Sequence, residues 1–350
     1  MDALRTRRVL VTGSAGMLGS HLVRRLTREG HEVLGLDVRP GTEANGPVRQ
    51  VSGDIRDTAL LTGLTAKVDA VVHCAGALPS YPAEQIRAIV VEGTRSVLEA
   101  AHRSAVPRVV HISSTAVYGL PDLVPTPEEY PFRPVDEYSA AKGNAERICE
   151  EYRQRGLPLT VLRPKTFLGP GRLGLFAMLC EWADEGRNFP VLGRGDVRIQ
   201  MLDIEDLLDA VELVLDAPPE IADGTFNIAA ERVSTMRENL QCVLDAAGHG
   251  KRVVSIPGRP AVAALRAMAR LGVSPVYDRL LYKLLADSYV SIERAQKILG
   301  FQPRFSGQDT ILRTYRWWRE QKRGVRVPAG GRTSGEPWRQ GVLALAKALF

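Results

Sequence analysis

The sequence has few of the features that mark membrane, secreted or metal-binding proteins. No apolar run is long enough to span a bilayer, so we expect no transmembrane segment. The six histidines show no ligand pattern, so we expect no metal site. The first predicted strand begins within eight residues of the N-terminus, so we expect no signal peptide and a cytoplasmic location. The cysteines lack paired spacing and are expected to be buried thiols in a reducing compartment: Cys74, Cys149, Cys180 and Cys242.

The composition indicates a globular chain with an excess of positive charge. The 350 residues are 45% hydrophobic, which suits one two-lobed unit or two closely packed domains. The formal net charge is +6, and much of the excess lies after residue 303. This charge either attracts a diphosphate or an anionic membrane, or forms an arginine-rich solvated surface. No nucleic-acid-binding motif accompanies it, so we expect no nucleic-acid partner.

The N-terminal segment combines a strand, a glycine turn and the start of a helix. Residues 8–12 are a short aliphatic run that predicts a buried parallel strand. Gly13 permits a sharp turn, Gly16 lets the backbone approach a pyrophosphate, and Gly19 lets the following helix pack closely on the strand. The N-terminus of that helix presents free N–H groups to phosphates. The pattern predicts a dinucleotide site, with a spacing one residue longer than the commonest fingerprint.

An acidic residue follows the second predicted strand at the position expected for ribose binding. Residues 32–36 predict this strand, and Asp37 closes it, 18 residues after Gly19. A carboxylate there meets the ribose hydroxyls and repels a 2′-phosphate, so the sequence favours NAD over NADP. Arg39 lies two residues further on and would weaken that preference.

Two more predicted strands end in residues suited to a bound cofactor. Residues 48–53 run into Asp54, which either accepts a hydrogen bond from the adenine amino group or is an ordinary turn aspartate. The strand that begins at Asp69 ends in small side chains, Ala75 and Gly76, which would let a cofactor lie across the strand ends. We expect His73 in this strand to be packed rather than catalytic.

The chemical groups come from a fifth predicted strand and a long helix. Residues 108–113 predict the strand, and Ser114 follows at its carboxyl end, where open α/β sheets bind ligands. Residues 136–153 predict a helix that places Tyr138 and Lys142 on one face. A lysine beside a phenol favours the phenolate form. The phenol can then exchange a proton with a substrate alcohol or carbonyl, while the Ser114 hydroxyl holds the same oxygen.

These motifs resemble those of the extended short-chain dehydrogenases/reductases, the NAD-dependent epimerase/dehydratase family. The resemblance covers about residues 7–320. It implies an α/β fold with a doubly wound parallel sheet of the Rossmann type and a smaller, mostly helical C-terminal substrate lobe. Besides the glycine turn and the Tyr-x-x-x-Lys pair, it rests on residues 113–119, Leu162-Arg163-Pro164, Gly169-Pro170-Gly171, Phe226-Asn227-Ile228 and residues 295–303.

The resemblance also implies a role for individual residues, with NAD as the cofactor. The implied catalytic set is Ser114, Tyr138 and Lys142. The implied substrate contacts are Ser114, Thr115, Tyr138, Thr166 and Arg198. The implied cofactor contacts are Gly13, Gly16, Met17, Leu18, Gly19, Asp37, Asp54, Ile55, Ala75, Gly76, Tyr138, Lys142 and Pro164.

Departures from the family pattern bear on the substrate. The similar sugar 4,6-dehydratases carry an Asp-Glu pair where this chain has Thr115 and Ala116, so it lacks the acid and base that eliminate water. Thr166 stands where nucleotide-sugar enzymes usually have asparagine. Their diphosphate-binding arginine falls in register with Ile199, and Arg198 lies one position away. The helix motif at residues 90–94 also lacks its usual asparagine.

The sequence predicts two lobes and a C-terminal extension. Residues 1–164 are expected to form the dinucleotide-binding Rossmann domain, with residues 201–229 returning to it. Residues 165–200 and 230–322 are expected to form the substrate lobe. Residues 323–350 are expected to be a basic, Gly- and Pro-containing linker with a short amphipathic segment.

Two surfaces suggest contacts beyond the chain's own core. Residues 260–285 are apolar with interspersed arginines and tyrosines, and form either a helix pair packed on the lobe or a surface that faces lipid or substrate. The predicted helices near residues 83–104 and 137–154 carry apolar faces, and similar proteins pair these helices across a dimer. The resemblance therefore implies a homodimer.

Three functions fit the sequence. The leading hypothesis is an NAD-dependent enzyme that oxidises a secondary alcohol on a nucleotide-activated sugar, as a 4-epimerase. The alternative is a hydroxysteroid-dehydrogenase-like or ketoreductase activity on a lipid or secondary metabolite, favoured by Thr166 and the apolar stretch 260–285. The third is a non-catalytic NAD sensor, which has no need of a Ser-Tyr-Lys set. The expected partner is a small molecule, either a nucleotide sugar or a hydrophobic alcohol or ketone.

Overall fold

The strands in the described part of the chain form one large sheet and three short ladders. The computed structural model describes residues 6–39, 48–171, 176–258, 260–263 and 286–324. The strands are β1 (Arg8–Thr12), β2 (Glu32–Asp37), β3 (Val48–Ser52), β4 (Ala70–His73), β5 (Val109–Ile112), β6 (Leu159–Pro164), β7 (Phe167–Leu168), β8 (Phe189–Leu192), β9 (Arg198–Ile199), β10 (Leu202–Asp203), β11 (Gly224–Ile228), β12 (Ser234–Thr235) and β13 (Val253–Ile256).

The large sheet has seven strands in the order β11-β6-β5-β4-β1-β2-β3. Every neighbouring pair in it is parallel. Parallel strands are buried on both faces, so they show continuous apolar runs rather than alternation. In β1, for example, Val9 and Val11 pack on one side of the sheet and Leu10 on the other, and none of the three is exposed.

Helices cover both faces of this sheet. The helices are α1 (Met17–Arg28), α2 (Thr58–Thr65), α3 (Ala83–Arg87), α4 (Gly93–Arg103), α5 (Glu137–Gln154), α6 (Phe176–Asp184), α7 (Ile204–Asp216), α8 (Pro219–Ala222), α9 (Met236–Ala247) and α10 (Gly307–Gly324). Apolar residues of α1 and α7 form the core on one face, and those of α2, α4 and α5 form the core on the other. The predicted doubly wound α/β fold is confirmed.

The second lobe contains α6, α9, α10 and the short ladders. β8 pairs with β13, and β9 pairs with β12. Leu179 of α6, Leu244 of α9 and Ile311 of α10 meet in a separate apolar cluster. The described part of this lobe is therefore helical, as expected, but it also contains strands that the sequence did not suggest. The predicted domain bounds stay a prediction.

Residues 201–229 contribute two strands and two helices. β11 extends the large sheet beside β6, and α7 packs on the face that α1 covers. β10 pairs with β7 in a two-stranded ladder. The expected return of this segment to the Rossmann domain stays a prediction.

Some predicted features fall outside the described residues. Of the apolar stretch 260–285, the structure describes only residues 260–263 and does not describe the rest, and residues 325–350 of the C-terminal extension also lie outside. In the part of the chain that is described, no helix combines the length and the apolar character needed to cross a membrane.

Candidate functional site

The predicted cofactor residues meet where the strand order of the large sheet reverses. The chain winds outward in one direction from β1 and in the other from β4, and open α/β sheets bind ligands in the crevice at such a point. Gly13 follows β1 and Ala75 follows β4. A Cβ atom added to Gly13 would lie 2.7 Å from the Cα and N atoms of Ala75, so the two loops are in close contact.

The glycine turn after β1 has no room for larger residues. Gly13 has a φ of +70° and donates its N–H to the Leu36 carbonyl at 2.7 Å. A Cβ atom on Gly19 would lie 2.1 Å from the Gly13 oxygen. Gly16 caps α1 without a side chain, and Met17 and Leu18 begin the helix, where backbone N–H groups lack intrahelical acceptors. These groups fit a bound pyrophosphate.

Asp37 lies at the end of β2 beside the glycine turn. Its side chain is 9% exposed. Oδ2 accepts from the Ala15 N–H at 3.0 Å, and Oδ1 accepts from the Arg39 N–H at 2.9 Å. The Arg39 guanidinium reaches back to donate to the Ala15 carbonyl at 3.3 Å. The structure therefore brings the predicted ribose-binding carboxylate and the neighbouring arginine to the same edge of the crevice.

Asp54 has the geometry of a turn aspartate. Its Oδ1 accepts from the backbone N–H of Arg56 at 2.9 Å, and its Oδ2 accepts from the Arg56 guanidinium at 2.6 Å. The hydrogen bond from Arg56 lowers the pKa of the Asp54 carboxyl. Ile55 is buried against Gly93. Of the two interpretations of Asp54, the local structure favours the turn.

His73 belongs to a buried hydrogen-bond chain. The Ala75 N–H lies 3.3 Å from the Thr12 hydroxyl, which lies 2.7 Å from His73 Nδ1. His73 Nε2 lies 3.1 Å from the Thr94 hydroxyl, which donates to the Val90 carbonyl at 2.6 Å. Because the Thr94 hydroxyl donates its proton to Val90, its oxygen accepts from the Nε2–H of His73. The Thr12 hydroxyl can then donate to Nδ1 of the neutral ring. Burial lowers the pKa of His73 to about 3, which agrees with the packed role expected for it.

Hydrogen bonds at the start of α5 fix the predicted catalytic tyrosine. The Asp136 carboxylate accepts from the Ser139 N–H at 2.7 Å, and the Ser139 hydroxyl accepts from the Asp136 N–H at 3.1 Å. This reciprocal cap sets the first turn of the helix. Tyr138 lies in that turn, half-buried against Ala77 and Ile86.

Lys142 connects α5 to the end of β5. Its ammonium donates to the Ile112 carbonyl at 2.9 Å, and the side chain is 6% exposed. The Nζ atom lies 3.9 Å from the point that a Cβ on Gly76 would occupy. Ser114 follows β5 two residues after Ile112, and its hydroxyl oxygen accepts from the Ala116 N–H at 3.1 Å. One edge of the sheet therefore holds the Lys142 ammonium, Ser114 at the end of β5 and the loop at Gly76.

A buried ion pair lies behind this group. It joins Glu146, which the sequence analysis did not name, to Arg163, which it named only as part of a family motif. Glu146 of α5 and Arg163 of β6 are 6% and 5% exposed, and their charged atoms approach to 2.6 Å. The Ser113 hydroxyl also donates to the Glu146 carboxylate. The position of Glu146, four residues after Lys142, is a signal that could have identified it, because it places the carboxylate on the same helix face.

Of the remaining predicted substrate residues, Thr115 follows β5, whereas Thr166 and Arg198 belong to the expected substrate lobe. Thr115 is buried, with its hydroxyl 3.5 Å from the Pro164 carbonyl. Thr166 has an exposed side chain, and its carbonyl accepts from the Leu202 N–H at 3.0 Å. Lys165, next to it, donates to the Ser288 hydroxyl at 2.7 Å, and the Ser288 N–H donates to the Arg198 carbonyl at 2.9 Å.

Arg198 is already paired in this structure. Its guanidinium lies 2.7 Å from an Asp287 carboxylate oxygen, and its backbone N–H donates to the other oxygen at 2.8 Å. The guanidinium also lies over the Tyr289 ring, 5.1 Å from the centroid. Hydrogen bonding to Asp287 raises the pKa of Arg198. A phosphate would have to compete with this carboxylate for the arginine.

The fold and the residues at the sheet edge define a Rossmann-type enzyme that uses a nicotinamide dinucleotide. Comparison with known protein families identifies the family within this class. The chain belongs to the NAD dependent epimerase/dehydratase family, whose family model matches residues 9–229.

Similar proteins in this family carry out more than one reaction. The chain is 30% identical to the UDP-glucose 4-epimerase of Mycolicibacterium smegmatis, over 90% of this chain and 99% of that one. It is 29% identical to a 3 beta-hydroxysteroid dehydrogenase/isomerase of Mycobacterium tuberculosis, over 87% and 88%. It is 28% identical to the dTDP-glucose 4,6-dehydratase of Streptomyces venezuelae, solved with NAD bound, over 90% and 98% with a TM-score of 0.72.

Proposed function

We propose that the protein is an NAD-dependent epimerase that inverts a secondary alcohol carbon of a nucleotide sugar, with carbon 4 as the first choice. The observation that carries the proposal is the position of Lys142. Its ammonium bonds the end of β5 and lies beside Gly76 of the cofactor loop. This supports a site in which Ser114, Tyr138 and Lys142 act together beside the crevice that the glycine turn borders.

The chain's own groups suit proton transfer at an alcohol oxygen. When bound, NAD would supply the hydride acceptor and donor. The Tyr138 phenolate, which the buried positive charge of Lys142 favours, takes the proton of the substrate hydroxyl, and the resulting phenol later returns it. The Ser114 hydroxyl holds the same oxygen. For epimerisation the ketone must turn over before the hydride returns to its other face.

The cofactor contacts proposed for this chain are those expected from its sequence. The glycine turn and the first turn of α1, with Met17 and Leu18, hold the pyrophosphate, and Asp37 accepts from the ribose hydroxyls. Ile55, Ala75, Gly76 and Pro164 line the rest of the crevice. Asp54 would have to bind adenine while it also holds Arg56.

Loss of water from the sugar is not proposed. Thr115 and Ala116 stand where the dehydratase resemblance requires an acid and a base. Both are buried in the turn of residues 115–118, and neither has a titratable side chain. Without those groups, a 4-keto intermediate can only be reduced again.

A direct assay tests the epimerase proposal. Purified protein would be incubated with UDP-glucose, UDP-galactose and their dTDP counterparts and a substoichiometric amount of NAD, and the sugars would be followed by NMR. We expect interconversion at carbon 4, because an epimerase regains its NAD in each cycle. Tyr138→Phe should be inactive under the same conditions. Turnover that requires stoichiometric NAD and yields a ketone would contradict the epimerase assignment.

The ion pair of Arg198 favours a second candidate, a dehydrogenase or ketoreductase acting on a lipid or secondary metabolite. Asp287 neutralises the arginine that best matches the family's diphosphate contact. Such a substrate has no diphosphate to bind and leaves that pair undisturbed. The similarity to a hydroxysteroid dehydrogenase supports this candidate.

Binding of UDP, dTDP and GDP to the NAD-loaded protein separates the two candidates. If the substrate is a nucleotide sugar, Arg198→Ala should weaken binding by about 1.5–3 kcal/mol, the value of a hydrogen bond to a charged group. Asp287→Asn is the matched variant, because it removes the carboxylate that pairs with Arg198. It should strengthen nucleotide binding. Failure of all three nucleotides to bind in calorimetry would favour the dehydrogenase.

We also propose a homodimer and a cytoplasmic location, which both stay predictions. The apolar faces of α4 and α5 pack on the chain's own sheet, and their outward faces carry ion pairs such as Arg95–Glu151 at 3.2 Å. A dimer through these helices would therefore be polar and should weaken as salt rises. Light scattering across a range of salt concentrations tests it.

A further inference from the structure

Three ionisable side chains lie at four-residue intervals on one face of α5: Tyr138, Lys142 and Glu146. Side chains at this spacing are neighbours on a helix, so Lys142 and Glu146 would ordinarily pair. Among the described residues no ion pair joins them. Lys142 instead donates to the Ile112 carbonyl at 2.9 Å, and Glu146 turns to Arg163.

Arg163 holds Glu146 with two of its three side-chain nitrogens. Its Nε lies 2.9 Å and its Nη2 2.6 Å from Glu146 Oε2, while Nη1 donates to the Tyr118 hydroxyl at 2.7 Å and the Glu128 carbonyl at 2.8 Å. The guanidinium lies 5.1 Å from the centroids of the Tyr118 and Phe132 rings. Because the Arg163 guanidinium is itself held by these contacts, it keeps the Glu146 carboxylate in a fixed position.

The same carboxylate is tied to the strand that ends in the serine. The Ser113 hydroxyl donates to Glu146 Oε1, and Ser113 directly precedes Ser114. Glu146 therefore links the helix that carries Tyr138 and Lys142 to the strand that carries Ser114.

The other titratable groups that face Lys142 carry no charge. Burial lowers the pKa of His73 on β4 and of His111 on β5, so both rings are neutral. Burial raises the pKa of the Cys74 thiol after β4 and of the Cys149 thiol on α5. Further out, Tyr81 packs in the cluster that includes Tyr138, and Arg87 pairs with Glu137 at 3.7 Å on the surface.

We propose that Arg163 and Glu146 are positioning residues for the Ser-Tyr-Lys set. Arg163 neutralises the Glu146 carboxylate and holds it away from Lys142, so that the ammonium charge acts on the Tyr138 phenol instead of being cancelled on its own helix. The proposal rests on the proposed function, in which that phenol exchanges the proton.

Removal of Arg163 and removal of Glu146 should shift the ionisation midpoint of the Tyr138 phenol in opposite directions. Arg163→Met leaves an uncompensated carboxylate about 12 Å along the helix from Tyr138, given a rise of about 1.5 Å per residue. At an effective dielectric constant of about 20, that charge should raise the midpoint by about one pH unit. Glu146→Gln leaves the arginine charge and should lower the midpoint by a similar amount. The double variant should return it close to that of the unchanged protein.

A spectroscopic titration measures this without any substrate. Tyrosinate absorbance at 295 nm would be followed in NAD-loaded protein across the neutral and alkaline range. The signal of Tyr138 is obtained within each background, by subtracting the titration of the same protein that also carries Tyr138→Phe, because Arg163 also bonds the Tyr118 hydroxyl. Arg95→Met is the matched control, because it removes an exposed arginine that pairs with Glu151 on the outward face of the same helix. It should leave the midpoint unchanged.

The outcomes are distinct from those of the activity assay. Opposite shifts of the two single variants, with recovery in the double variant, support the proposal even if no sugar is turned over. Equal midpoints in all variants would overturn it even if the enzyme proves to be an epimerase. If Arg163→Met does not fold, Glu146→Gln and the double variant test the proposal. A pair that only stabilises the fold would leave the Tyr138 midpoint of Glu146→Gln unchanged, whereas the proposal requires it to fall.

Discussion

Replacement of Gly13 by alanine should be far more costly than the addition of one methyl group suggests. Gly13 has a φ of +70°, a region that costs an alanine about 1–2 kcal/mol. Its new Cβ would also lie 2.7 Å from backbone atoms of Ala75, which cannot rotate away. Overpacking of this kind costs about 1–3 kcal/mol. The free energy of unfolding should therefore fall by about 2–5 kcal/mol.

Gly30 provides a matched control at the other end of α1. Its φ is +89°, and a Cβ atom there would meet nothing within 4 Å. Gly30→Ala should therefore show the backbone cost alone, about 1–2 kcal/mol. Denaturant titrations of both variants give the difference, which measures the contact with Ala75.

The two variants should also differ in cofactor binding. Relief of the contact in Gly13→Ala must separate the loops after β1 and β4, between which the cofactor is proposed to lie. NAD affinity measured by calorimetry should fall on the order of tenfold or more in Gly13→Ala, and stay unchanged in Gly30→Ala. Equal destabilisation by the two substitutions, with equal NAD affinity, would refute the close approach of the two loops.

Three further outcomes are expected. Tyr138→Phe should lose about 10²–10⁴-fold in turnover with unchanged NAD affinity, because the ring remains but cannot exchange a proton, whereas Tyr152→Phe on the same helix should keep its activity. Asp37→Ala should weaken NAD binding by about 1.5–3 kcal/mol and reduce the preference for NAD over NADP, measured by titrating both cofactors. Unchanged NAD affinity would show that Asp37 does not contact the cofactor. Burial raises the pKa of Asp203 to about 6, so its ionisation opposes folding and stability should fall by about 3 kcal/mol as pH rises from about 4 through 6. Asp203→Asn should make the free energy of unfolding nearly independent of pH between about 4 and 6. If the variant shows the same pH dependence as the unchanged protein, Asp203 is not its cause.

The parts of the fold that the sequence predicted are those encoded by neighbouring residues. β1 and β2 are buried on both faces, so their apolar runs appear directly in the sequence, and the glycine turn follows from one short segment. Tyr138 and Lys142 share a helix, so their spacing predicts their shared face. These features needed no knowledge of distant contacts.

The features that escaped prediction depend on partners far away in the chain. Arg198 lies one residue from the register of the family's phosphate-binding arginine, but its partner Asp287 lies 89 residues later. Two-residue strands such as β7 and β10 have no periodicity to detect. The pairing of Arg163 with Glu146 rather than Lys142 with Glu146 follows from how β6 packs behind α5, which helix spacing alone does not specify.

The position of β11 in the chain limits how the protein can be divided. β11 pairs with β6 along its length, from Gly224 opposite Thr160 to Ile228 opposite Pro164, and Asn227 accepts from the Tyr118 hydroxyl at 2.7 Å. During synthesis this sheet edge therefore stays open until the chain beyond β6 has been made. A fragment that ends at residue 164 would expose β6 as an edge strand, and such edges pair with other chains. We expect the cofactor-binding half to aggregate when expressed alone, although it contains six of the seven strands.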